Sequence, residues 1–145
     1  MRYERIKKVK NPTRGTKKSA GIDFYVPDYY GEIEIGPHKS INIESGIKVE
    51  VPKGFALIAF NKSGVALKKG LQVGACVVDE DYQGEIHLHL TNISSETTKI
   101  SGGEKLVQFL LVKIGYHDTQ EVKKGKLYKI KTERGEGGFG STGTK

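Results

Sequence analysis

Ser40-Ile41-Asn42-Ile43-Glu44-Ser45-Gly46-Ile47-Lys48-Val49-Glu50-Val51 is the stretch whose reading decides the fold class. Ile41 and Ile43, then Ile47, Val49 and Val51, alternate with polar neighbours, the period of a strand with one face in a core. Next comes Gly54-Phe55-Ala56-Leu57-Ile58-Ala59-Phe60, a continuous apolar run of the kind a strand covered on both faces carries. Ile86, Leu88 and Leu90 alternate with His87, His89 and Thr91, and residues 106–114 are apolar and β-branched enough for a core strand. Turn signals fall between these segments, among them Pro52-Lys53-Gly54, Lys69-Gly70, Gln83-Gly84 and Ser101-Gly102-Gly103. Short strands with recurrent turns predict an all-β sandwich or barrel. Helix is confined to one or two turns within 63–71, limited by Gly64 and Gly70.

Composition bounds the rest. The 145 residues make one domain, or a domain with a tail. Lys and Arg number 24 against 17 Asp and Glu, a net charge of +7. No stretch approaches the roughly eighteen consecutive apolar residues of a membrane span. The N-terminus is charged from Arg2 and carries no apolar segment, which predicts no secretion. Cys76 is the single cysteine and has no disulfide partner within the chain, fitting a reducing, cytoplasmic setting. The first eighteen residues hold eight basic side chains and one acid, Glu4. With only Tyr3 interleaved, they read as a solvated basic edge, and no direct contact with nucleic acid is expected.

Four segments concentrate polar groups beside glycines. Asn61-Lys62-Ser63-Gly64 follows the apolar run and offers a lysine, a hydroxyl and closely approachable backbone N–H groups, an anion nest or a plain polar turn. Asp79-Glu80-Asp81-Tyr82-Gln83-Gly84-Glu85 places four carboxylates in seven residues, either a solvated acidic turn or the seat of a general base. In the second reading Asp79 is the candidate, because it follows Val77-Val78 and so is carried on a hydrophobic strand. Gly103-Glu104-Lys105 leads into Leu106-Val107-Gln108, and Gln108 serves either a structural hydrogen bond or a ligand. Arg134-Gly135-Glu136-Gly137-Gly138-Phe139-Gly140-Ser141-Thr142-Gly143 supplies an arginine for phosphate, an aromatic for stacking and two hydroxyls. It is not a Walker A loop, because Ser141 stands where the lysine belongs. Residues 134–145 contain five glycines and cannot repay their ordering entropy alone, so composition predicts a mobile tail. His87 and His89 share one strand face, but no further Cys or His spacing completes a zinc site.

Taken in order, Ala20-Gly21-Ile22-Asp23-Phe24 and these four segments resemble the five motifs of the homotrimeric dUTPase family, over most of the chain. The resemblance implies a jelly-roll-like distorted β-barrel over 1–133, with a flexible arm over 134–145 that closes the active site of a neighbouring subunit in a homotrimer. It implies Mg²⁺-assisted hydrolysis of dUTP to dUMP and pyrophosphate by a dUTP diphosphatase, which keeps uracil out of DNA and supplies dUMP for thymidylate synthesis. Asp79 would activate water for attack on the α-phosphorus, and Asp23 would support the site. Lys62, Ser63, Gly64 and Gln108 would contact the phosphates; Arg134, Ser141 and Thr142 would close over the γ end; Phe139, followed by Gly140, would stack on uracil. Backbone groups of 73–78, with Gly74 and Cys76 among them, would read the uracil edge, and Tyr82 would lie under the sugar and exclude a 2′-hydroxyl. The metal would be held by triphosphate and water, with no protein ligand.

Three features depart from the family pattern. Asn61-Lys62 stands where Pro-Arg is usual, which keeps the charge and loses the bidentate fork. Cys76 takes a place more often held by glycine or another residue, and the His87 and His89 strand is not a family signature. The nearest rival, dCTP deaminase, would require a glutamate near His89, and Glu85 lies too early to serve. A nucleotide-binding regulator without catalysis fits less well with an intact Asp79.

Overall fold

The computed structural model describes residues 1–138. The expectations placed on Phe139, Gly140, Ser141 and Thr142 lie outside the described residues. The strands are β1 (Arg2–Arg5), β2 (Ile22–Tyr25), β3 (Glu32–Ile35), β4 (Ser40–Glu50), β5 (Phe55–Asn61), β6 (Leu71–Val73), β7 (Val77–Val78), β8 (Glu85–Asn92), β9 (Thr98–Ser101) and β10 (Lys105–Lys113). One α-helix, α1 (Ser63–Lys69), and a 3₁₀ turn over Asp28–Tyr30 complete the elements. Two four-stranded sheets, ordered β1-β4-β8-β6 and β2-β10-β5-β7, and a β3-β9 ribbon form the all-β architecture. Every strand pair is antiparallel.

The alternation that opens the sequence survives a local irregularity. Between the pairs Glu44↔His87 and Lys48↔Glu85, β4 advances four residues while β8 advances two. An insertion of two residues leaves the parity of the strand intact, so Ile43, Ile47 and Val49 all reach the core. Gly46 sits in this bulge at φ +74°, where its carbonyl accepts the Ile6 N–H at 2.9 Å. Helix α1 stops at Gly70, a left-handed C-cap at φ +60°. Gly64 lies inside the first turn and does not break it.

The core lies between the inner faces of the two large sheets. Ile43, Ile86, Leu88 and Leu90 come from one sheet, and Phe24, Leu57, Val107 and Phe109 from the other. The Phe24 and Phe109 rings meet at 4.6 Å and 54°. Burial of such side chains contributes about 1.5–3 kcal/mol each and dominates what holds the sheets together. Asn92, fully buried at the end of β8, donates to the Ile35 and Glu96 carbonyls and accepts from Ser94, tying β8 to the β3 end.

The run at 54–60 was expected to be covered on both faces, and one face of β5 remains half open. Residues paired across the ladder share a face, which puts Phe60, Ile58, Leu110, Val112 and Val77 together on the outer side of the sheet. Phe60 is 43% exposed and Val77 59%.

The basic N-terminus forms β1, an edge strand exposed at all four residues. Arg2 pairs with Glu50, Lys7 with Glu44 and Lys10 with Asp28, while Arg14 donates to the Ser19 and Ala20 carbonyls. Among the described residues no helix is long and apolar enough to cross a membrane.

The chain divides into two compact units, Met1–Gly115 and Tyr116–Lys145. All the described strands belong to the first. In the second unit the described residues form turns only, such as Gly135 N–H donating to the Thr132 carbonyl at 3.1 Å.

Candidate active site

The first cluster grows from the end of the sheet where β2, β10 and β5 lie side by side. The register places Asp23 opposite Gln108, and Gln108 opposite Phe60. Asp23 is 5% exposed, and a carboxylate so buried needs a cationic or hydrogen-bonding partner. Lys62, leaving the end of β5, supplies it by ion pair, and the Lys105 ammonium stands 3.5 Å from the other oxygen. The Gln108 side-chain amide donates to the Asn61 carbonyl at 2.8 Å, the structural hydrogen bond anticipated as one of its two uses. Gly21 is glycine because a Cβ there would overlap the Gln108 side chain. Ser63 and Gly64 form the first turn of α1, where backbone N–H groups have no intrahelical partner. The structure therefore brings Asp23, Lys62, Ser63, Gly64 and Gln108 to one sheet end. Asn61, whose side chain has no role in the reading of the sequence, joins them to the next segment by accepting the Val73 N–H on its side-chain oxygen at 2.7 Å.

The second cluster follows β6. A concave pocket of about 260 Å³ is lined by residues 75–79, Tyr82 and Glu85 among others. A larger groove of about 870 Å³ runs along β1 and β4 past Arg2, Lys48 and Lys53. Size favours the groove, but apart from Tyr82 it holds none of the candidate residues; the smaller pocket carries Asp79 and Cys76, so the chemistry points there.

The four acidic residues of the 79–85 turn are sorted by their partners. Glu80 accepts the Gly54 N–H at 2.6 Å, and Glu85 accepts the Gly46 N–H at 2.6 Å. Both are committed to holding turns. The Asp79 carboxylate is exposed on the pocket and takes no hydrogen bond among the described residues, while its backbone carbonyl accepts the Tyr82 N–H at 3.2 Å. Asp81 does not line the pocket. Tyr82 donates its hydroxyl to the Glu85 carbonyl at 3.0 Å, its ring lying where a Cβ on Gly84 would be.

The two histidines are used separately. His87 Nδ1 meets the Asn42 amide at 2.8 Å, and His89 Nδ1 accepts the Ala75 N–H at 2.9 Å. No three His, Cys, Asp or Glu side chains among the described residues converge to hold a metal.

The two clusters lie far apart along β5. Val78 pairs with Leu57, so Asp79 falls beside Ala56, six positions before Lys62. At about 3.3 Å per extended residue the separation is on the order of 20 Å. Arg134 belongs to the second unit, where its Nε donates to the Gly137 carbonyl at 2.9 Å.

The dUTPase family model matches residues 7–143. The chain belongs to the dUTPase family. It is 36% identical over 132 residues to the deoxyuridine 5'-triphosphate nucleotidohydrolase of Mus musculus, covering 91% of this chain and 77% of that one. The corresponding nucleotidohydrolase of Candida albicans is 38% identical over 141 residues, 97% of this chain and 86% of that one. Among solved structures, the dUTPase of Staphylococcus bacteriophage 80alpha with dUPNHPP superposes with a TM-score of 0.82 at 23% identity, covering 98% and 97% of the two chains. A variant of the phage phi11 dUTPase, which coordinates a structural Mg(II) ion, gives 0.75 at 20% identity over 86% and 97%. The likeness to these structures shows the dUTPase fold.

Proposed function

We propose that this member of the dUTPase family hydrolyses dUTP to dUMP and pyrophosphate in sites shared between the subunits of a homotrimer. The observation that carries the reading is Asp79: an exposed carboxylate on the rim of a concave pocket, free of hydrogen bonds among the described residues, while Glu80 and Glu85 are tied to backbone amides. Such a group can accept a proton from water as the water attacks the α-phosphorus in line with departing pyrophosphate. The relatives named above are nucleotidohydrolases of the same triphosphate.

Lys62, Ser63, Gly64 and Gln108 serve the phosphates in this reading, and Asp23 serves them indirectly by fixing the Lys62 ammonium. Uracil presents acceptor, donor and acceptor along one edge, and backbone groups of 73–78, including Gly74 and Cys76, are the matching edge. Cytosine would set a donor against a donor there, and unpaired buried groups reject strongly. Tyr82 lies beneath the sugar. Mg²⁺ would be carried by the triphosphate's own oxygens and would neutralise part of their charge.

Two features favour the trimer. About 20 Å separates Asp79 from Lys62 within one chain, so a triphosphate bound at Asp79 meets the phosphate cluster of a second copy rather than its own. The half-open face around Phe60 and Val77 supplies apolar surface for that copy to cover. The arm over 134–145, with Arg134, Phe139, Gly140, Ser141 and Thr142, closes the site of a neighbour.

The test is pyrophosphate release from dUTP, UTP, dCTP and dTTP side by side, with ammonia measured in the dCTP reaction. Turnover confined to dUTP is expected. Ammonia from dCTP, or equal turnover of UTP, would contradict the reading.

A further inference from the structure

A chain that leaves one sheet to join another must hand over its backbone hydrogen bonds on the way. β6 pairs with β8 as far as Val73↔Leu90, and β7 pairs with β5 through Val77↔Ile58. Residues 74–76 lie between the two strands and belong to neither ladder. The first step of the crossing is backbone to backbone: Gly74 N–H donates to the His89 carbonyl at 3.0 Å. The second uses a side chain, with Ala75 N–H donating to His89 Nδ1 at 2.9 Å. On the far side the Cys76 carbonyl accepts the Ala59 N–H at 2.8 Å.

The ring and the glycine are fitted to each other. A Cβ on Gly74 would overlap the His89 imidazole, and the glycine does not have positive φ, so space rather than backbone freedom demands it. An Nδ1 that accepts leaves the hydrogen on Nε2, which defines the neutral tautomer. Among the described residues the Cys76 N–H and the Gly74 and Ala75 carbonyls take no hydrogen bond. These are the groups that residues 74–76 leave for a ligand.

We propose that His89 is a positioning residue for base recognition, its neutral imidazole holding Ala75 so that the backbone edge at 74–76 is set before the nucleotide arrives. This rests on the reading of that segment as the uracil-binding edge. Hydrogen bonds to a base edge demand placement within about 0.5 Å, and a crossover without ladder support would have to be ordered by the ligand itself. His89 moves that ordering from binding to folding. Asp79, beyond the crossover and after β7, is not held by this contact.

Three substitutions separate the acceptor from the bulk of the ring. His89→Asn places an amide oxygen near the Nδ1 position, His89→Gln places its polar end near Nε2, and His89→Leu supplies volume without an acceptor. In steady-state pyrophosphate release, His89→Leu and His89→Gln are expected to raise KM for dUTP about tenfold or more and to narrow the preference for dUTP over dCTP. kcat should change less than KM, and His89→Asn should stay near the parent on both measures. Histidine ¹⁵N spectra of the parent should show the Nε2–H tautomer at His89, a readout independent of how any variant folds. The proposal is overturned by parental KM and preference in His89→Leu, by His89→Asn behaving no better than His89→Leu, or by an Nδ1–H tautomer. A parent that does not turn over dUTP overturns the underlying reading instead, and the inference with it.

Discussion

Asp79 and Asp23 are both carboxylates in sheet-end segments, and their surroundings give them opposite work. Asp79 is exposed and unpartnered among the described residues, so its loss should cost chemistry and little else. Asp79→Asn is expected to lower kcat by about 10²–10⁴, the range of general-base contributions, with the thermal midpoint nearly unchanged. Full turnover in that variant would remove the assigned base. Asp23 is buried against Lys62, with Lys105 at 3.5 Å as the remaining cation. Lys62→Met strands most of that charge and should destabilise the fold by about 1–3 kcal/mol in urea unfolding. Lys62→Arg should restore stability, since it keeps the charge. Equal unfolding midpoints for the methionine and arginine variants would show that the ion pair contributes nothing to the fold.

At the scale of elements, the β4 edge carries the pH dependence that the structure makes legible. A hydrogen bond from Lys7, and then its charge, hold the Glu44 carboxyl below the usual glutamate range, and Arg2 does the same for Glu50. A carboxyl depressed in the fold stabilises it above the unfolded value and loses that contribution as pH falls through the folded one. Acidification below about pH 4.3 should therefore weaken the attachment of β1 and the segment after it, modestly because both pairs are exposed. About 1 M salt should remove most of the effect. Lys7→Met should return the Glu44 titration, followed by NMR, to the ordinary range; no movement would dissociate the two side chains in solution.

Over the whole molecule, the excess charge and the distance between the Asp79 and Lys62 clusters are the properties no single element explains. All of the net +7 arises in the first eighteen residues, since the other 127 carry sixteen charges of each sign. Much of that excess is engaged by Glu50, Glu44, Asp28 and backbone carbonyls. The separation of about 20 Å between the Asp79 and Lys62 clusters makes complementation the informative experiment. An Asp79→Asn chain and a chain lacking 134–145 should each be nearly inactive and still assemble. Co-refolded, they should regain a fraction of parental turnover, because some mixed sites draw an intact Asp79 and an intact arm from different copies. Absence of any regain in verified mixed trimers would place Asp79 and the arm that serves it in one chain. Deletion of 134–145 alone should leave the β-sheet far-UV signal unchanged.

Sequence by itself determined the strands with clear period two, such as β4 and β8, because one buried face imposes alternation and the two-residue bulge preserves its parity. It also determined the candidate segments, since turns rich in glycine and charge advertise themselves locally. It was silent on β3, β6 and β9, strands of three or four residues whose existence depends on partners remote in the chain. Only the tertiary structure decided which acids of the 79–85 turn are tied to backbone, that Lys62 answers Asp23, and that a histidine ring carries the crossover at Ala75. Each is a contact across many residues of chain, and spacing along a sequence holds no record of which distant groups folding will set side by side.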